Sequence, residues 1–143
     1  MNPSARTYQT QQVMTASPAQ LVAILYETAI LSLREAVRAI ETGDIQARFN
    51  ANKRAGEIIT HLWTTLDVER GGDIAANLSR LYSFMLSRLA FVDVRNDPEP
   101  ALEAIGLLEP LRDSWNQIAR GDRKVVTAST TDVAVTGGLS VSA

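Results

Sequence analysis

Residues 15–43 read TASPAQLVAILYETAILSLREAVRAIETG, a helix with more apolar surface than one buried face needs. Ser17 can cap the helix with its hydroxyl, Pro18 presets φ at the first helical position, and Gln20 stands where a capping box places its reciprocal partner. Gly43 can end the helix in a left-handed turn. At about 100° per residue, Leu21, Val22, Leu25, Tyr26, Ala29, Ile30, Leu33, Ala36, Val37 and Ile40 share one arc of roughly half the circumference. A common core stripe needs only somewhat over ~100°. The polar seam of Gln20, Glu27, Arg34 and Glu41 is narrow, and Ile24 and Leu31 lie beside it one heptad apart. Part of this surface is therefore expected to meet a partner.

Three more helices follow. One is predicted from the N-cap Asp44 to near Glu69, with Ile45, Phe49, Ala55, Ile58, Ile59, Leu62, Trp63 and Leu66 on a wide apolar arc. Gly71-Gly72 should break it and Asp73 should cap the next, from Ile74 to about Arg95, along Leu78, Leu81, Tyr82, Met85, Leu89 and Val92. In NDPEP (96–100), Asp97 caps and Pro98 opens the last helix, which holds Leu102, Ile105, Leu108, Leu111, Trp115 and Ile118. Pro110 lies inside it and removes the hydrogen bond to residue 106, so Gly106 is the expected place for a kink. Four amphipathic helices with short polar joints predict an all-α, antiparallel up-and-down four-helix bundle. Its expected limits are residues 17–120, with an extended N-terminal arm at 1–16 and a disordered tail at 121–143.

Composition narrows the function. In 143 residues, 45% are hydrophobic and 21% charged, which suits one domain with a sizeable core. Fourteen basic and sixteen acidic residues leave a net charge of −2, against the broad electrostatic attraction that nucleic acid or an anionic membrane requires. Without cysteine there is no thiolate chemistry and no disulfide, as suits a reducing compartment. The start, MNPSARTYQTQQ, lacks a signal-peptide core, and no stretch approaches the ~20 apolar residues of a membrane span. The expected location is the cytoplasm.

Catalytic groups are sparse. His61 is the single histidine and falls among Asn50, Lys53, Arg54 and Glu57 on a polar face, which predicts a solvated side chain. A histidine phosphotransfer bundle is the enzyme-like alternative, but that family places Lys and Gly shortly after the histidine, where LWTTL stands here. One histidine cannot furnish the two Glu-x-x-His pairs of a di-iron bundle. The glycine pairs at 71 and 137 follow no phosphate-loop pattern. More informative are Phe84 and Phe91, one heptad apart opposite the core stripe of the third helix, with Arg80, Arg88 and Arg95 beside them. They can contact a neighbouring helix, or form an arginine-rimmed apolar surface suited to an acidic amphipathic partner helix.

Particular residues then point to a family. Tyr8, Val13, TASP (15–18) and LVAILYETA (21–29) resemble the opening of the flagellin export chaperones, the FliS family. LDVERGGDIAANLSRLYSFMLSRL (66–89) resembles that family's Leu-Asp, Gly-Gly, Ile-Ala, Asn-Leu, Leu-Tyr and Arg-Leu pairs in order and spacing. Asn96-Asp97 and Trp115 continue the likeness, which covers about Tyr8 to Arg120. Gln11 stands where Asn is usual, Glu27-Thr28 where Asp-Gly is usual, and Val92-Asp93 where Ala-Asn is usual.

The resemblance implies a cytoplasmic, non-enzymatic bundle without cofactor that keeps flagellin unpolymerised and presents it to the flagellar export apparatus. It implies no nucleic acid, membrane insertion or small-molecule substrate. The implied client is the C-terminal segment of flagellin, wrapped around the bundle partly as helices, and the implied role of Tyr8 is to cover the empty groove until client displaces it. An amphipathic terminus that would pair with other flagellins calls for competing apolar grooves. Candidate flagellin-binding residues are Tyr8, Val13, Ile24, Leu31, Phe84, Phe91, Arg80 and Arg88. An adaptor for another secretion protein is the remaining alternative.

Because the predicted core ends at Ile118, deletion of residues 121–143 is expected to leave the thermal midpoint and helical content nearly unchanged by circular dichroism. A fall of many degrees shows instead that the tail packs on the bundle.

Overall fold

The computed structural model describes residues 16–121, which form four helices: α1 (Pro18–Thr42), α2 (Ile45–Thr64), α3 (Val68–Val94) and α4 (Glu99–Ala119). Each packs on its neighbours in the chain and α1 closes the ring against α4. The short connections make adjacent helices antiparallel, so α1 and α3 occupy opposite corners, as do α2 and α4.

Local chemistry sets most ends. Ser17 Oγ accepts from the Gln20 N–H at 3.2 Å while Gln20 Oε1 accepts from the Ser17 N–H at 2.6 Å, completing the capping box. At the other end Gly43, with φ of 75°, and Asp44 donate their backbone N–H groups to Ile40 and Ala39, the Schellman arrangement. Asp44 caps α2 through the Ala47 N–H at 3.0 Å. Asp97 accepts from the Glu99 N–H at 2.9 Å and thus starts α4, which runs as one helix through Pro110.

The α2–α3 connection differs from the sequence expectation. Helix α2 stops at Thr64 rather than near Glu69, because the Thr64 and Thr65 hydroxyls turn back onto the His61 and Leu62 carbonyls at 3.1 Å, and such local bonds compete with helix continuation. Asp67, not Asp73, then caps α3 through the Arg70 N–H at 3.0 Å. The expected glycine break is present inside α3: Gly72 has φ 55° and ψ −135°, a conformation essentially restricted to glycine. Residues 68–71 thus form one preliminary turn before the main helix.

Core packing is uneven. Helix α1 buries the small residues Ser32, Ala36 and Ala39, and α2 buries Ala51 and Ala55. Small side chains allow close backbone approach, so α1 contacts α2 extensively, and α4 likewise; α3 meets both its neighbours over less surface. Two of the ion pairs across the α1 seams are exposed, Arg34–Glu109 at 2.5 Å and Arg54–Glu35 at 3.3 Å, and a third, Arg112–Glu27 at 3.1 Å, is partly buried. Exposed pairs contribute ~0–1 kcal/mol each, whereas burying one Leu or Ile contributes about 1.5–3 kcal/mol. Packing of Ile30, Leu33, Ile59, Leu108 and Trp115 therefore holds α1 in place.

Across the diagonal, the hydroxyls of Tyr26 on α1 and Tyr82 on α3 hydrogen-bond to each other in the centre of the core. The rings are 1% and 2% exposed, and an unpaired buried hydroxyl would cost ~1–3 kcal/mol. Burial pushes the Tyr26 hydroxyl well above its ordinary value near 10 and, from the same ordinary value, pushes Tyr82 up to about 12. The folded chain thus keeps these protons where the unfolded chain releases them. This stabilisation is complete below pH 10 and is lost as pH rises toward about 12. The urea midpoint is expected to fall across that window, and to fall less in a Tyr26→Phe, Tyr82→Phe double variant; equal slopes would exclude the pair as the source.

Candidate functional site

The outward face of α3 carries Phe84, which is 45% exposed, and Phe91, which is half-buried. Helical spacing places both opposite Tyr82 and Leu89, which point into the core. The three arginines beside them have different partners. Arg80 donates to Asn77 within α3. Arg88 crosses to α4, with Nε 3.0 Å from Glu103 Oε1. Arg95 lies over the Phe91 ring at 4.4 Å from its centroid, within cation–π range, and shields that ring from water. Among the described residues no cation covers Phe84 in this way; Leu81 of α3 and Leu107 of α4 are partly buried and pack against the core.

On the other side of α3, the α2–α3 seam opens into a depression of about 560 Å³ lined by Lys53, Gly56, Glu57, Thr60, His61 and Leu86. His61 is thus an exposed residue on the wall of this groove. Toward the Asp44 end of α2, Ile45 and Phe49 are 65% and 47% exposed, and Val94 at the facing end of α3 is 76% exposed. The first two fall on the apolar arc read from the sequence, at the edge beside α3 rather than in the core.

A third apolar region lies on α1. Leu31 is 53% exposed and Ile24 half-buried, one heptad apart on the outward face. Of the candidates read from the sequence, the structure therefore gathers Phe84, Phe91, Arg80 and Arg88 on α3, and sets Ile24 and Leu31 on the opposite corner. Tyr8 and Val13 lie outside the described residues. Among those residues, no helix is long and apolar enough to cross a membrane, and no cluster of His, Cys, Asp or Glu could hold a metal ion.

The family model of the flagellar protein FliS matches residues 1–122 of this chain. The chain belongs to the FliS family. This family is one of flagellar secretion chaperones rather than enzymes. The chain is 42% identical over 108 residues to the flagellar secretion chaperone FliS of Salmonella typhimurium strain LT2, an alignment covering 75% of this chain and 80% of that relative. To the Bacillus subtilis strain 168 FliS it is 32% identical over 117 residues, covering 82% and 86%. The flagellar secretion chaperone FliSB of Pseudomonas aeruginosa PAO1 is 34% identical over 108 residues, covering 76% of this chain and 86% of that one.

What the sequence reading missed in this FliS-family bundle is the α2–α3 groove. Its signal was present: Arg48 and Asn52, spaced i, i+4, fall on the same arc as Ala55 and Ile59, where polar residues are out of place. Both are buried in the seam, at 9% and 7% exposure. The exposure of Phe84 leads to a direct expectation. Phe84→Ser should change unfolding free energy by less than ~1 kcal/mol, as for an ordinary surface site, measured by urea titration; a loss of ~3–5 kcal/mol, the range for truncating a core aromatic, would place it in the core.

Proposed function

We propose that this FliS-family protein is a cytoplasmic chaperone that binds the C-terminal segment of flagellin, prevents its premature polymerisation and delivers it to the flagellar export apparatus. The observation carrying this reading is that a bundle with a filled core still exposes large apolar side chains on separate faces, Phe84 on α3, Phe49 on α2 and Leu31 on α1. A single flat partner could not cover opposite corners. An extended amphipathic segment that wraps the bundle could, burying its apolar residues against each face in turn.

In this reading Phe84 and Phe91 anchor client on α3, with Arg80 and Arg88 attracting acidic residues at the rim, and Ile24 and Leu31 receive client on α1. Tyr8, in the arm, covers the apolar surface of the empty chaperone and yields to client, and Val13 is a further client-binding residue. Membership of a secretion-chaperone family supports the reading, as does the similarity to the flagellar secretion chaperone of Salmonella typhimurium.

Co-purification with flagellin carrying or lacking its C-terminal segment tests the client: binding is expected only to the intact form. Capture of both forms equally, or of neither, overturns the reading and leaves an adaptor for another secretion protein. Phe84→Ser with Phe91→Ser should weaken binding in a folded bundle, whereas Arg80→Ala with Arg88→Ala should weaken it modestly and reduce its salt dependence, because rim charges act through screened attraction. A stable acid-labile phosphate on His61 after incubation with a phosphodonor would favour a phosphotransfer bundle instead.

A further inference from the structure

The α2–α3 seam holds a polar cluster for which client binding alone supplies no role. Arg48 enters from α2, its Nε donating to Asp93 Oδ1 at 3.0 Å and its other guanidinium nitrogen to Asn96 Oδ1 at 2.6 Å. Asn52, one turn along, donates from Nδ2 to Asp93 Oδ2 at 3.0 Å and to the Leu89 carbonyl at 2.9 Å. With both Nδ2 hydrogens engaged by acceptors, the amide cannot be turned over without setting its oxygen against a carbonyl and a carboxylate. Its Oδ1 is left buried with no partner among the described residues. Asn96 reaches Arg48 from a left-handed backbone position, φ 52°, in the turn to α4. The cluster therefore ties α2, the last turns of α3 and the α3–α4 turn to one another.

Its position is informative. The bonds of residues 48 and 52 to 93 and 89 give the antiparallel register of α2 and α3, which places Gly56 beside Leu86 one turn further on, in the lining of the α2–α3 groove. The cluster thus lies one helical turn from the groove. An added Cβ at Gly56 would sit 3.9 Å from the Leu86 side chain, ordinary contact, so the glycine is not required for the helices to pack. What it leaves is open space. Because a guanidinium–carboxylate pair has a fixed length and planar geometry, it prescribes a separation that interchangeable apolar side chains do not. Buried ion pairs are weak stabilisers but have a well-attested use in fixing register.

We infer that Arg48, Asn52, Asp93 and Asn96 are positioning residues that fix the separation of α2 and α3, keeping the groove lined by Lys53, Gly56, Thr60 and Leu86 open for apolar side chains of a helical client segment. The inference builds on the proposed flagellin-binding role and assigns it a second surface beside that of α3. The cluster itself does not touch client. Replacing it with apolar residues of similar volume lets α3 settle toward α2, so stability is kept while the groove narrows.

The test uses the full chain and a labelled peptide of the flagellin C-terminal segment, with affinity read by fluorescence anisotropy at several salt concentrations and stability by urea titration. Arg48→Met, Asn52→Leu and Asp93→Leu together are expected to keep or raise the midpoint, since no buried amide is left without an acceptor, and to weaken binding about tenfold, a shift of ~1.4 kcal/mol, with the salt slope unchanged. Gly56→Leu, which fills the groove from its wall, should give a similar loss.

A folded triple variant that binds like wild type overturns the inference, and so does Gly56→Leu with wild-type affinity. A triple variant that fails to fold also overturns it, since the cluster is then a determinant of the fold. Failure of the wild type to bind the peptide is the distinct result that removes the flagellin reading itself.

Discussion

The hydroxyl contact between Tyr26 and Tyr82 sets the cross-section of this bundle. It joins the two helices that are not neighbours in the ring, and it does so end to end, through the full length of two phenol side chains. The small residues of α1 and α2 draw those helices together, while the tyrosine pair acts as a spacer along the other direction. Helix α3 is thereby held away from the tightly packed part of the bundle, and its seams with α2 and α4 are thin. The α2–α3 groove and the exposed face of α3 both lie on this thinly packed side. A bundle with four equal seams would have buried Leu86 and Leu107 fully and offered no recess.

The consequence for a secretion chaperone is a division of labour among helices. Helices α1, α2 and α4 supply most of the close packing, so α3 can carry surface chosen for another purpose. Its arginines show this. Among the described residues only Arg88 of these three reaches a carboxylate, Glu103 of α4, while Arg95 lies on an aromatic ring and Arg80 on an amide. Exposed pairs such as Arg88–Glu103 are weakly held, so an incoming acidic group can exchange with Glu103 at small energetic cost. The face is polar enough to remain in water and apolar enough at Phe84 to favour a partner.

How much of this was legible in the sequence depended on the range of the interaction. Ser17, Gln20 and Gly43 were readable because a cap is decided within four residues. The end of α2 was not, since Thr64, Thr65 and Asp67 offered an earlier stop than the conspicuous glycines, and neighbouring signals of similar strength are not ranked by type alone. The apolar arc of α2 identified Ile59 and Leu62 as core, but it could not separate them from Ile45 and Phe49, whose exposure depends on how far α3 stands off. Arg48 and Asn52 were visible as anomalies without partners, because Asp93 and Asn96 lie more than forty residues away in the chain. Phe84 was legible as an outward residue, and Phe91 less so, since its shielding by Arg95 requires side-chain geometry.

The turn at Gly43-Asp44 also bears on the order in which the chain acquires its shape. Contacts between α1 and α2 are short in sequence, Glu35 meeting Arg54 nineteen residues on, while closure of the ring brings Glu27 to Arg112 across eighty-five. Loop-closure entropy favours the near contact, so a helical hairpin of α1 and α2, with its cap already set at Gly43, is the natural first unit on a growing chain. Helix α4 completes the structure only after leaving the ribosome. Until it docks, the α1 surface around Leu33 and Tyr26 is open to any amphipathic helix. The small residues of the first seam let it close early and leave less of α1 exposed to the wrong partner.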